Sequence, residues 1–108
     1  MSAKLKKFAP YLRLLHKAKP RVRGAMLKNH CSDEFVQCIC ECATNLLKGN
    51  VSLSPAQKGQ LSRRKRLLRK LVLKKPSLKA KRKIVQTSGF LGAILGPIVK
   101  VLDTLFST

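Results

Sequence analysis

The stretch Ser32 to Asn50, SDEFVQCICECATNLLKGN, decides how the rest of the chain is read. Ser32 offers a side-chain oxygen suited to capping a helix, and Asp33 and Glu34 fall where a helix N-terminus favours negative charge. Phe35, Val36, Ile39, Cys42, Ala43, Leu46 and Leu47 then recur at helical spacing as a broad apolar stripe. Lys48 and the pair Gly49-Asn50 end it. The pattern predicts a buried helix, and so an all-α chain built around it.

On its C-terminal side, Ser54-Pro55-Ala56-Gln57 reads as a capping box with proline just inside. It opens a long basic helix expected to run to about Lys75, with Leu61, Leu68, Leu71 and Val72 inward, before Pro76 stops it. Ser77 caps a further basic helix through about Gln86, and Ser88-Gly89 breaks the pattern. On the N-terminal side, Leu5, Phe8, Leu12 and Leu15 keep helical spacing, with Pro10 expected to mark a start or a kink. Pro20 suits the first position of another short helix that turns Val22, Met26 and Leu27 inward. With no internal repeat and no β alternation, the expected architecture is a small bundle of four or five short helices. Its three parts are a basic N-terminal arm or helix (1–19), a helical domain (20–88) with a polybasic region (58–83), and an apolar C-terminal segment (89–108).

Charge sets the function classes. The 108 residues include 24 Lys plus Arg against 4 Asp plus Glu, a net charge of +20. Residues 1–28 carry nine cations and no acid, and residues 51–88 carry thirteen and no acid. Between them, residues 29–50 hold one Lys against three acids. Self-repulsion on this scale opposes folding until a polyanion arrives. Lys58, Arg63, Arg64, Lys65, Arg66, Arg69, Lys70, Lys74, Lys75, Lys79, Lys81, Arg82 and Lys83 are the candidate nucleic-acid-binding residues. On the long helix they are too dense for one stripe and are expected to surround it. Each phosphate they meet releases counterions, which makes affinity large, blind to sequence and steep in salt. A merely solvated face would mix both signs. No zinc finger, zipper heptad or interleaved aromatics point to base readout or single-strand stacking, so the backbone of double-stranded DNA is the expected partner. Basic clusters of this kind also serve as nuclear import signals.

The tail GFLGAILGPIVKVLDTLFST has no charge from Gly89 to Val99, but Pro97 and three glycines interrupt it, so a spanning helix is not expected. Phe90, Leu91, Ile94, Leu95, Ile98, Val99, Leu102 and Phe106 fit three readings: insertion into an anionic membrane, contact with a partner such as a capsid protein, or packing onto their own domain. Cys31, Cys38, Cys40 and Cys42 crowd into twelve residues, yet positions on one helix cannot all bridge one another, and two-knuckle zinc spacing is absent. Reduced thiols are expected, with no metal and no cofactor. His16 and His30 stand alone among cations, so no acid/base pair, nucleophile or phosphate loop can be assembled, and a non-enzymatic protein is expected. Lys and Arg recur too often in the first twenty residues for a signal peptide, which points to an intracellular protein.

From about Lys17 to Leu102, the order CSDEFVQCICECATNLLKGNVSLS, a basic helix, then SLKAKRKIVQTSGFLGAILGPIV resembles a small protein of Maverick/Polinton elements and the related adintoviruses. That family looks like a counterpart of the basic core protein X (mu) of adenoviruses. The resemblance implies a virion core or minor capsid-type protein that neutralises packaged DNA, found in the host nucleus and the virion. It implies DNA contact by Arg63, Arg64, Lys65, Arg66, Arg69, Lys70, Lys81, Arg82 and Lys83. Two features depart from the adenoviral pattern. Gly92 and Gly96 lack a matching protease-cleavage context, and the Cys-rich helix has no adenoviral counterpart. A membrane-active cationic protein and a nuclear protein-protein adaptor, the latter binding through the Cys-containing helix, are the competing function classes.

Overall fold

A computed structural model describes residues 3–49, 51–87 and 89–106. The described residues form six helices and no strand: α1 (Ala3–Lys17), α2 (Pro20–Asn29), α3 (Asp33–Leu47), α4 (Pro55–Val72), α5 (Leu78–Gln86) and α6 (Phe90–Phe106). The all-helical expectation holds, with six helices in place of four or five.

Local hydrogen bonds set three of the helix starts. Ser32 Oγ accepts from the Phe35 amide at 3.1 Å, and Ser77 Oγ accepts from the Ala80 amide at 3.1 Å. At α4 the full capping box forms: Ser54 Oγ accepts from the Gln57 amide at 3.2 Å, and the Ser54 amide donates to Gln57 Oε1 at 3.1 Å. Gly49 ends α3 at a φ of 72°, a left-handed value that glycine adopts without a Cβ clash. α4 stops at Val72, earlier than its charge pattern suggested. Leu73 is already extended, and the residue before Pro76 is itself disfavoured in a helix.

Of the 21 buried apolar side chains among the described residues, α3 and α6 contribute seven each. From α3 come Phe35, Val36, Cys38, Ile39, Cys42, Ala43 and Leu46, and from α6 Phe90, Leu91, Ile94, Leu95, Ile98, Val101 and Leu102. The two helices pack on one another, and α1 and α4 each pack on both. Leu5, Leu12 and Leu15 of α1 and Leu68 and Leu71 of α4 enter the same cluster, so the expected N-terminal arm, central domain and tail share one core. No polar or charged side chain is buried among the described residues.

The tail is thus a core helix, the third of the readings open for it. It runs unbroken through Gly92, Gly96 and Pro97, because burial along one whole helix outweighs the propensity those residues lack. Pro10 likewise lies inside α1 rather than at its start, on the exposed side, where water can meet the carbonyl its missing N–H leaves open. Val22, expected inward, is 52% exposed, as α2 turns only Leu27 fully into the core.

Two polar ties fasten α2. Tyr11 Oη donates to the Met26 and His30 carbonyls at 3.3 and 3.1 Å, while its ring and that of Phe8 meet Phe35 edge-on at 5.2 and 5.4 Å. Arg23 donates from Nε to Leu15 O at 2.9 Å and from Nη2 to Ala18 O at 3.0 Å, closing the C-terminal end of α1. Its Nη1 lies 2.6 Å from where a Cβ at position 92 would stand, so Gly92 leaves the space this guanidinium fills.

Removing residues 89–108 deletes eight buried residues of α6, Phe90 to Leu102. We expect the truncated chain to lose its cooperative denaturant transition and most of its far-ultraviolet helical signal. A truncated chain that still unfolds cooperatively would refute the central place given to α6.

Candidate nucleic-acid interface

A surface of 6740 Å² shared by a net charge of +20 leaves about 340 Å² per charge. Charges spread that thinly would stand roughly 18 Å apart, beyond the Debye length of about 8 Å in physiological salt. Clustering therefore decides where a polyanion is held, and the densest cluster is α4.

α4 carries seven cations and no acid in 18 residues, a length of about 27 Å. Leu68 and Leu71 point into the core, with Leu61 and Leu67 half-buried beside them. At about 100° per residue, Lys58, Arg63, Lys65, Arg66, Arg69 and Lys70 then fall within an outward arc of about 160°. All six are exposed. The expectation that cations surround this helix is corrected: the core takes one side, and the charge is gathered on the other. Arg64 alone sits toward the core side, half-buried. Among the described residues, no carboxylate pairs with a cation of α4.

Lys74 and Lys75 continue the exposed charge through the connector, and Lys79 and Lys83 do so on α5. Lys81 and Arg82 differ from these, being half-buried. Arg82 donates from Nε to Cys31 O at 3.1 Å and pairs through Nη2 with Asp33, fastening α5 to the turn between α2 and α3. Gln86 Nε2 donates to Leu27 O at 3.1 Å and adds a second tie. Arg82 thus holds the fold together, a correction to the expectation from charge that it binds phosphate. Its partner Asp33 lies half the chain away, and no local pattern announces the pair.

Two other acids face α1: Glu34 pairs with Lys7 at 2.8 Å and Asp103 with Arg13 at 2.9 Å. Both pairs are well exposed, so each is worth at most about 1 kcal/mol. Exposed Lys6, Lys17, Lys19, Arg21 and Lys28 of the N-terminal block engage no carboxylate among the described residues. The density of the 51–88 block draws attention away from these residues, although the charge count for residues 1–28 points to them.

Of the tail residues, Phe90, Leu91, Ile94, Leu95, Ile98 and Leu102 are buried, and Val99 and Phe106 are half-buried. In this fold they are committed to the core, so inserting them into a bilayer or a partner would mean extracting α6. No single described helix is long and apolar enough to cross a membrane.

The four cysteines are free thiols. Cys38 and Cys42 lie one turn apart in the core, and Cys31 and Cys40 are half-buried. A hydrogen bond with Cys38, reinforced by burial, pushes the Cys42 thiol well above its ordinary pKa. Desolvation also raises Cys31 and Cys40, only partly offset by the nearby charges of Arg82 and Lys81. Among the described residues, no three of His, Cys, Asp and Glu converge as metal ligands.

Compared with protein-family models, with curated proteins and with solved structures, the chain matches none.

Two expectations follow from these positions. Arg82→Ala removes a charge-assisted tie and should destabilise the fold by about 1–3 kcal/mol in urea titration, whereas Arg66→Ala should change stability by less than about 0.5 kcal/mol. Equal effects would contradict the separate roles. In the native protein at neutral pH, a thiol reagent should modify Cys31 and Cys40 slowly and faster as pH rises toward their raised pKa values, leaving Cys38 and Cys42 unmodified until denaturant is added. Four equally reactive thiols would count against this burial pattern.

Proposed function

We propose that the protein is a non-enzymatic nucleic-acid-binding and condensing protein that holds double-stranded DNA by its phosphate backbone. One observation carries this reading: α4 turns six cations outward in a single arc, and no carboxylate meets them among the described residues. Such an arc is left to water and counterions until phosphates replace them, and releasing the counterions condensed on DNA supplies the binding free energy. Between the cations the arc offers Ser62 and Gly59, which leave room for a phosphate backbone to lie against it. The resemblance to the Polinton and adintovirus protein supports the narrower role of a virion core or minor capsid-type component, acting in the host nucleus and the virion.

Arg63, Lys65, Arg66 and Arg69 changed together to Gln should weaken binding to unrelated duplexes by a similar factor. The slope of log affinity against log salt should flatten by up to about four. Fluorescence anisotropy titrations at several salt concentrations measure both. Unchanged affinity and slope would defeat the proposal, and a loss confined to one sequence would defeat its backbone character.

A further inference from the structure

We infer that the protein carries a second polyanion-binding face on α1 and α2, turned away from α4, and that one molecule bridges two duplexes. This rests on the DNA-binding reading and adds to it a second site and a mechanism of condensation.

Two helices packed side by side leave two grooves, one on each side of the pair. α3 and α6 are such a pair, and α1 and α4 each pack on both members while making no substantial contact with one another. α5 also packs on both members and on α4, with no substantial contact to α1, so α4 and α5 fill one side of the pair and α1 the other. With helix axes about 8–10 Å apart at each contact, the two outer helices stand nearly two helix diameters from one another. The overall extents are 31 × 29 × 28 Å.

Charge follows the same layers. α1 carries five cations and α4 seven, with no acid on either, while α3 carries three acids and no cation and α6 one of each. The molecule is a sandwich of positive, negative and positive. Its acids are not shared evenly: Glu34 and Asp103 engage Lys7 and Arg13 on the α1 side, Asp33 engages Arg82 on α5, and among the described residues none pairs with α4. The α4 face is thus the stronger, and what remains on the other is the exposed set Lys6, Lys17, Lys19, Arg21 and Lys28. α2 and α5, also free of acids, join the two faces along one flank.

A straight duplex about 20 Å across cannot touch both sides of a body this size. Bending one sharply around a radius of about 15 Å is opposed by a persistence length of about 50 nm. Two opposed cationic faces on a compact body therefore favour two duplexes with the protein between them, and every protein so placed draws a pair of duplexes together.

The test is a sandwich capture. Duplex DNA is fixed to a surface, loaded with full-length protein, washed, and offered a second, labelled duplex. Three proteins are compared: wild type, the face variant Lys6→Gln, Lys17→Gln, Lys19→Gln, Arg21→Gln, Lys28→Gln, and the α4 variant described above. Each substituted residue is exposed, so matching far-ultraviolet spectra and unfolding midpoints establish that the variants fold. The face variant should bind a single duplex within about three-fold of wild type yet capture about ten-fold less of the second. Capture at the wild-type level by that variant overturns bridging and leaves single-duplex binding intact, and it is also the result if paired protein molecules rather than two faces make the link. An equal loss of single-duplex affinity in both variants overturns it too, by showing one continuous site. If the α4 variant binds a single duplex as wild type does, the failure belongs to the DNA-binding proposal itself.

Discussion

The contact between α3 and α6 is the constraint on which the other four helices depend. Each of α1, α2, α4 and α5 combines a narrow apolar stripe with several cations and no acid, and helices of 9 to 18 residues with that composition are marginal in water. Like charge would drive them apart. They stay together because the central pair contributes two thirds of the buried apolar side chains and offers a groove on either side. Among the described residues the core has no buried charge to satisfy, so apolar contact is the main force opposing the repulsion between the outer helices.

Ion pairs play a different part. Lys7 with Glu34, Arg13 with Asp103 and Arg82 with Asp33 each join one helix to another distant in the chain. The first two are solvent-exposed and add little free energy. Arg82 goes further, since its guanidinium also satisfies a backbone carbonyl at the turn before α3. Guanidinium groups rather than ammonium groups do this joining work at Arg23 and Arg82, where a planar fork can serve two acceptors at once.

What the sequence made legible was local. Ser32, Ser54 and Ser77 announce helix starts because a capping hydrogen bond needs only residues three apart, and the stripe on α3 declares its own burial. The tail was less legible. Gly92, Gly96 and Pro97 weaken a helix when weighed by propensity, and only the three-dimensional partners of Ile94, Ile98 and Leu102 reveal why one forms. Pro10, read as a start or a kink, lies inside α1, which removes the first alternative. Of the candidate interface, charge density located α4 correctly but could not separate Arg82, with its remote acid, or Arg64, on the core side, from their exposed neighbours. The opposed placement of α1 and α4 depends on which helices touch, and no count along the chain contains that.

The unpaired outer cations make ionic strength act on this molecule in two opposing directions. Added salt shields the outer helices from one another and so relieves a strain on the native state. The same ions compete with phosphate and loosen any complex the protein forms. In dilute salt the free protein is therefore at its least stable just when its grip on DNA is firmest, and bound DNA replaces the shielding that the solvent does not supply.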